Sequence, residues 1–140
     1  MRIMAVDYGD TRSGVAISDP SGSLVGSAVT ITEKNQSRLL EKLCAIAEEN
    51  EIERLVIGYP KNMDGTLGRR ASQSEVLAKA LEETTGLPVV LWDERRTTIE
   101  SHHILNVSNT RGKKRKAVID AVAASLILEG YLSFLKASPK

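Results

Sequence analysis

Ile3-Met4-Ala5-Val6-Asp7-Tyr8-Gly9-Asp10-Thr11-Arg12-Ser13-Gly14-Val15-Ala16-Ile17 is the stretch on which the fold turns. A short apolar run ends in a carboxylate, a turn bracketed by Gly9 and Gly14 follows, and a second apolar run returns. Apolar runs of this length, bounded by turn residues, read as buried strands. A short turn between two strands makes them antiparallel neighbours. Asp7 then stands at the tip of a buried strand, where a desolvated carboxylate is costly unless something cationic meets it. A divalent metal ion is one such partner.

Working outward, Asp19-Pro20-Ser21-Gly22 is a turn, and Leu24 to Ile31 reads as a third strand of the same meander. Asn35 or Ser37 can cap a helix over Arg38 to Asn50, whose apolar stripe is Leu39, Leu43 and Ile46 with Leu40 and Ala47 beside it. Leu55 to Gly58 is a buried strand. The loop from Tyr59 to Gly68 follows it, and a helix over about Arg70 to Thr85, with Val76, Leu77, Ala80 and Leu81 facing inward, ends at Gly86. Pro88 to Trp92 is a further buried strand that stops at Asp93-Glu94. A short helix is expected after Thr97, an irregular stretch from Asn106 to Gly112, and a last helix from about Arg115 to Leu135. Three meandering strands followed by αβ crossovers predict an α/β fold, a five-stranded mixed sheet flanked by helices.

The 140 residues suit one domain, residues 1–140, with one real core. The single cysteine excludes an intramolecular disulfide and a cysteine-rich zinc site. Cys44, set among Leu40, Leu43 and Ala47, reads as a small buried hydrophobe. The N-terminus runs straight into the first strand and no apolar run is long enough to cross a bilayer, so a cytoplasmic protein is expected. The net charge is +1, of which Arg111-Gly112-Lys113-Lys114-Arg115-Lys116 supplies +5, leaving −4 for the rest. One basic block on a mildly acidic chain is the pattern of a local polyanion contact.

Ligands of open α/β sheets sit outside the carboxyl ends of the strands. Asp7 and Asp93-Glu94 both end strands, and they converge if those strands are parallel neighbours. Asp120 is the only charge in the run AVIDAVAASLIL from Ala117 to Leu128, so its face, with Ala117, Ala124 and Ile127, is expected to open onto something polar or positive. Each acid alone has a plainer account. Asp7 could pair with Arg12 or cap its turn, Asp93-Glu94 could pair with Arg95 or Arg96, and Asp120 with Lys116 one turn earlier. Together they suit hard, oxygen-seeking ions such as Mg²⁺.

The stretches VDYGDTRSGVAIS, VIGYPKNMDG, DERRTT and RGKKRKAVIDAVAASLILEGYL resemble the YqgF/RuvX family of Holliday-junction-resolvase-like proteins. The resemblance runs through nearly the whole chain in order. It implies a ribonuclease H-like fold and a nuclease that matures the end of pre-16S ribosomal RNA. It implies catalytic and metal-holding acids at Asp7, Asp120 and Glu94, with Asp93 as the alternative to Glu94, and one or two Mg²⁺ or Mn²⁺ ions. Two such ions can activate a water and stabilise the leaving oxygen of a phosphodiester. The chain departs from the family pattern at Arg96, where an apolar or aromatic residue is usual, and reads GYP where GLP is common.

Arg111, Lys113, Lys114, Arg115 and Lys116 are expected to form a phosphate-gripping flap before the Asp120 helix, with Arg12 in the same role and Arg69 and Arg70 as weaker candidates. A solvated loop is the plainer account of that block. Aromatic residues make up only 4% of the chain, which leaves Tyr8 and Tyr59 as the plausible base stackers; ordinary packing is their alternative.

Other chemistry is excluded or set lower. Gly9 to Gly14 has P-loop glycine spacing, but Val15-Ala16 follow where lysine and a hydroxyl are required. His102 and His103, adjacent on an expected helix, point about 100° apart and form no metal pair. No serine sits in a nucleophile-elbow pattern. The Asp7–Gly9 turn also looks like the first phosphate loop of sugar kinase and actin-type ATPases, which close two such domains over a nucleotide; this chain has length for one. A DNA-acting junction resolvase and a non-catalytic RNA-binding assembly factor are the remaining alternatives. Cutting a four-way junction favours a symmetric dimer, yet no exposed apolar stripe demands one, so a monomer or weak homodimer is expected.

Overall fold

The computed structural model describes residues 1–60, 68–93 and 112–137, with side chains from Ile119 onward in the last of these segments. Five strands form one mixed sheet: β1 (Ile3–Asp7), β2 (Arg12–Ser18), β3 (Val25–Thr32), β4 (Arg54–Tyr59) and β5 (Val89–Asp93). Their order is β3-β2-β1-β4-β5. β1, β2 and β3 pair antiparallel as the meander predicts, while β4 runs parallel to both β1 and β5. Three helices complete the described residues: α1 (Gln36–Glu49), α2 (Arg69–Thr85) and α3 (Gly112–Ala137).

The strand period of two sorts the core into two layers. Met4 and Val6 of β1 pack with Leu39 and Leu43 of α1 and Leu77 and Leu81 of α2. Ile3 and Ala5 point the other way, onto Ala124, Ile127 and Leu128 of α3. The sheet is thus covered on both faces, which explains why β1 and β4 read as continuous apolar runs rather than alternating ones.

Local chemistry sets the helix ends. Asn35, not Ser37, caps α1, its side-chain oxygen accepting from the Arg38 N–H at 3.0 Å. Such a cap is worth about 0.5–2 kcal/mol. Gly86 closes α2 in the left-handed region, φ 73°, where a residue without Cβ carries no steric penalty.

Three expectations change. The buried stripe of α2 is Ala71, Ser74, Leu77, Ala78 and Leu81, and Val76 is 59% exposed. Val76 is one residue, about 100° of helix, away from Leu77, so a stripe at spacing three and four leaves it outside. β5 is an edge strand and leaves Leu91 exposed, rather than being buried throughout. The last helix begins at Gly112, so Lys113 to Lys116 lie within it and not in a loop before it. The short helix expected after Thr97 lies outside the described residues. Cys44 packs against the α1–α2 core layer, and burial pushes its thiol pKa up, as suits a packing residue. No helix of the described residues is long and apolar enough to cross a membrane.

Candidate active site

Asp7 continues the Ile3–Ala5 series and so lies on the α3 face of the sheet, at the carboxyl end of β1. Its partner across the antiparallel ladder is Gly14. A Cβ at Gly14 would fall 1.9 Å from the backbone oxygen of Asp120 and 3.2 Å from the Ala124 Cβ. α3 therefore rests directly on the β2 backbone at Gly14, where no side chain intervenes. The same contact sets Asp120 beside the residue opposite Asp7. Two half-buried carboxylates reach one face at one strand end, from positions more than a hundred residues apart in sequence.

Arg12 shares the face of Gly14 and Ala16 by the same alternation, and it meets Asp120. Its Nε donates to Asp120 Oδ2 at 3.0 Å, with side chains 34% and 22% exposed. Asp120 thus has a positive partner in Arg12; the Lys116 side chain lies outside the described residues. A pair this accessible is screened and contributes at most about 1 kcal/mol. Arg12 was expected to grip phosphate; in the structure its guanidinium holds a carboxylate at the same edge.

The turn between β1 and β2 is held from within. The Gly9 N–H donates to Ser13 Oγ at 3.2 Å, and Ser13 is 1% exposed. A Cβ at Gly9 would fall 2.2 Å from the Arg12 carbonyl oxygen. From α2, Arg70 reaches the same turn, its Nη2 donating to the Tyr8 carbonyl at 3.0 Å. Neither Ser13 nor the Gly14–Asp120 contact figures among the residues read from the sequence. Gly14 in the middle of an apolar strand is the signal that could have found the contact, because such a glycine marks close backbone approach.

β5 does not adjoin β1. β4 lies between them, so two strand spacings, about 10 Å, separate the two carboxyl ends. Asp93 pairs with Tyr59, whose strand neighbours Leu55 and Ile57 belong to the α1–α2 layer. Asp93 therefore lies on the face opposite Asp7 and Asp120. Glu94 and Arg111 lie outside the described residues, as do His102 and His103. Lys113, Lys114, Arg115 and Lys116 occupy the first turns of α3, whose opening turn holds no acidic residue. The N-terminal end of a helix carries positive potential of its own, so these cations add to it.

Tyr8 packs against the α1–α2 layer. Tyr59 is 8% exposed, and its hydroxyl donates to Glu75 Oε2. That bond, with burial and the Glu75 charge behind it, raises the phenol pKa. Both tyrosines thus have packing roles of the ordinary kind. Among the described residues no three His, Cys, Asp or Glu side chains form a metal-holding group; Asp7 and Asp120 bring two carboxylates to one face.

A mixed β3-β2-β1-β4-β5 sheet covered on both faces belongs to the ribonuclease H-like class of folds. Thermus thermophilus RuvC in complex with a Holliday junction substrate matches it with a TM-score of 0.65 at 12% identity, covering 100% of this chain and 99% of that one. Fowlpox virus resolvase in complex with Holliday junction DNA matches with a TM-score of 0.61 at 12% identity, over 96% and 99% of the two chains.

Residues 1–134 match the family model RuvX, described as Holliday junction resolvase. A relative from Halothermothrix orenii is 44% identical over 134 residues, covering 96% of each chain. One from Lachnospira eligens is 46% identical over 135 residues, covering 94% of this chain and 96% of its own. Both bear the name "Putative pre-16S rRNA nuclease". The chain belongs to the RuvX family of Holliday-junction-resolvase-like nucleases.

Proposed function

We propose that this chain is one metal-dependent nuclease domain that trims the end of pre-16S ribosomal RNA in the cytoplasm, acting as a monomer or weak homodimer. The observation that carries the site assignment is the Asp7–Gly14–Asp120 arrangement, which sets two carboxylates on one face at the carboxyl end of β1. Their chemistry fits a hard divalent cation. Mg²⁺ and Mn²⁺ take oxygen donors, which carboxylates supply. Glu94 is the proposed third acid. What supports it over Asp93 is that Asp93 lies on the α1–α2 face, away from the other two.

One or two bound ions would supply charge neutralisation at the phosphoryl oxygens and Lewis acidity for in-line hydrolysis. The chain's own residues do the rest. Asp7, Asp120 and Glu94 hold the metal. Arg12, Arg111, Lys113, Lys114, Arg115 and Lys116 bind the sugar-phosphate backbone, and the helix N-terminus at Gly112 adds its own positive potential. Such contacts position a strand without reading its sequence.

RNA as substrate rests on the names of the relatives, whereas the family description favours the second reading, a DNA junction resolvase. One cleavage assay separates them. Purified protein is offered a single-stranded RNA spanning the 16S end and a four-way DNA junction, each with Mg²⁺, Mn²⁺ or EDTA. Metal-dependent RNA cutting that Asp7→Asn abolishes supports the proposal. Junction cutting alone replaces it with the resolvase. Binding without cutting of either assigns a non-catalytic assembly role.

A further inference from the structure

Arg12 and Asp120 make contradictory demands on the site. Asp120 bonded to a guanidinium has an oxygen already engaged that a cation would need, and Arg12 bonded to a carboxylate is not offered to phosphate. Both residues are fixed from behind. Arg12 pairs with Thr32 across the β2–β3 ladder, and its carbonyl packs on Gly9. Asp120 is seated by its own carbonyl against Gly14. Neither backbone can shift cheaply, so any change of partner must come from side-chain rotation. Both side chains are accessible enough for it, at 34% and 22% exposure.

We infer that Arg12 is an exchangeable internal counter-ion, held by Asp120 in the metal-free protein and released to a substrate phosphate when a divalent cation takes its place. The inference rests on the nuclease reading above. A doubly charged ion attracts the carboxylate more strongly than a guanidinium does, and it repels that guanidinium at close range. The released fork of N–H donors matches a phosphate, which two parallel hydrogen bonds can grip. Arg12 would thereby couple the two ligands. Each would bind better once the other had bound, because each removes the competitor of the other.

The test measures binding, not turnover. Mn²⁺ is titrated calorimetrically into the full chain as wild type, Arg12→Gln, Arg12→Lys and Asp120→Asn, with circular dichroism on each variant. A single-stranded RNA is then bound in Ca²⁺ and in EDTA. Arg12→Gln should bind Mn²⁺ about 2- to 5-fold more tightly than wild type, the range set by losing an exposed ion pair. Arg12→Lys, a weaker single-point partner, should move in the same direction by less, and it carries the test if Arg12→Gln fails to fold. Ca²⁺ should strengthen RNA binding in wild type more than in either Arg12 variant. Equal or weaker Mn²⁺ binding in the Arg12 variants, with binding still lost in Asp120→Asn, overturns the exchange and leaves the nuclease site standing. Mn²⁺ binding untouched by Asp120→Asn overturns the site itself, and the exchange with it.

Discussion

The backbone oxygen of Asp120 lies so close over Gly14 that a Cβ at that glycine would come within 1.9 Å of it. Gly14 faces Asp7 across the β1–β2 ladder. One missing methyl group thus governs how near the last helix comes to the first strand, and with it how near Asp120 comes to Asp7.

Gly14→Ala should therefore be both destabilising and damaging to activity. The added methyl meets backbone and not a flexible side-chain tip, so α3 must lift. Overpacking of this kind costs about 1–3 kcal/mol. Gly130→Ala is the matched control. Its new Cβ would meet Trp92 Nε1 at 3.3 Å, a side chain and not backbone, farther along the same helix. Denaturant unfolding and RNA cleavage on both variants check the expectation. Gly14→Ala should lose stability and cleavage together, and Gly130→Ala should keep most of its cleavage. Unimpaired cleavage in Gly14→Ala would detach the helix contact from the site.

That contact also marks how far the sequence was legible. The three-strand meander, the parallel β4–β5 pair and the cap at Asn35 follow from local signals: short turns, apolar runs and a polar side chain ahead of a helical stripe. Asp7 and Asp120 could be singled out because a charge in an apolar run is improbable without a partner. What their spacing could not reveal was the partner itself. Arg12 is separated from Asp120 by 108 residues, and only the register of β1 on β2 and the seating of α3 bring them together. The strand order was likewise not local. β4 inserts between β1 and β5 and sets them apart, and the register of β5 on β4 places Asp93 on the opposite face from Asp7. The start of α3 at Gly112, ahead of the expected Arg115, is not legible because a run of cations resembles solvated loop.

The two acids should fail in the same way. Asp7→Asn and Asp120→Asn each keep the shape and remove the charge. Metal-dependent cleavage should fall by more than about 100-fold in each, beyond the 10- to 100-fold typical of losing a group that only supports a ligand. RNA affinity in EDTA should change little in Asp7→Asn, since phosphate contacts carry it, and should rise in Asp120→Asn, where Arg12 is freed for phosphate. Steady-state cleavage alongside fluorescence anisotropy separates the two effects. Loss of binding in step with cleavage would mean the acids serve folding instead.

The basic residues at the start of α3 should act on affinity and its salt dependence. Neutralising Lys113 and Lys114 to Gln should weaken RNA binding at low salt. It should also lower the slope of log affinity against log salt by about 0.7–0.9 for each phosphate contact removed. Binding isotherms between low and moderate salt measure it. An unchanged slope would remove this segment from the interface.

Acid should weaken the turn between β2 and β3 only once pH falls below the ordinary carboxylate range. Asp19 accepts from the N–H groups of Leu24 and Ser23 and from the Ser21 hydroxyl, and these bonds hold its pKa below the usual 3.8. Glu33, hydrogen-bonded by Lys42 and by the Asn35 N–H, is likewise held below 4.5. Because both are lowered in the folded state, their stabilisation is fully present above their unfolded values. It is lost as pH falls through the lowered ones. The unfolding midpoint should therefore drop below about pH 4. Asp19→Asn, which cannot titrate, should start lower at neutral pH and show a shallower acid decline.

Asp93 and Glu94 provide the sharpest separation of roles, because they are adjacent in sequence. Asp93 pairs with Tyr59 on the face that packs against α1 and α2. Asp7 and Asp120 occupy the other face. If Glu94 completes the metal site, Glu94→Gln should abolish cleavage and weaken Mn²⁺ binding. Asp93→Asn should leave Mn²⁺ affinity near wild type and show its effect, if any, in thermal stability. Titrating Mn²⁺ into both variants reads the difference directly, without dependence on turnover. The reverse pattern, with Mn²⁺ binding lost in Asp93→Asn and kept in Glu94→Gln, would require the strand end to turn over near Asp93 and would move the third acid back by one residue.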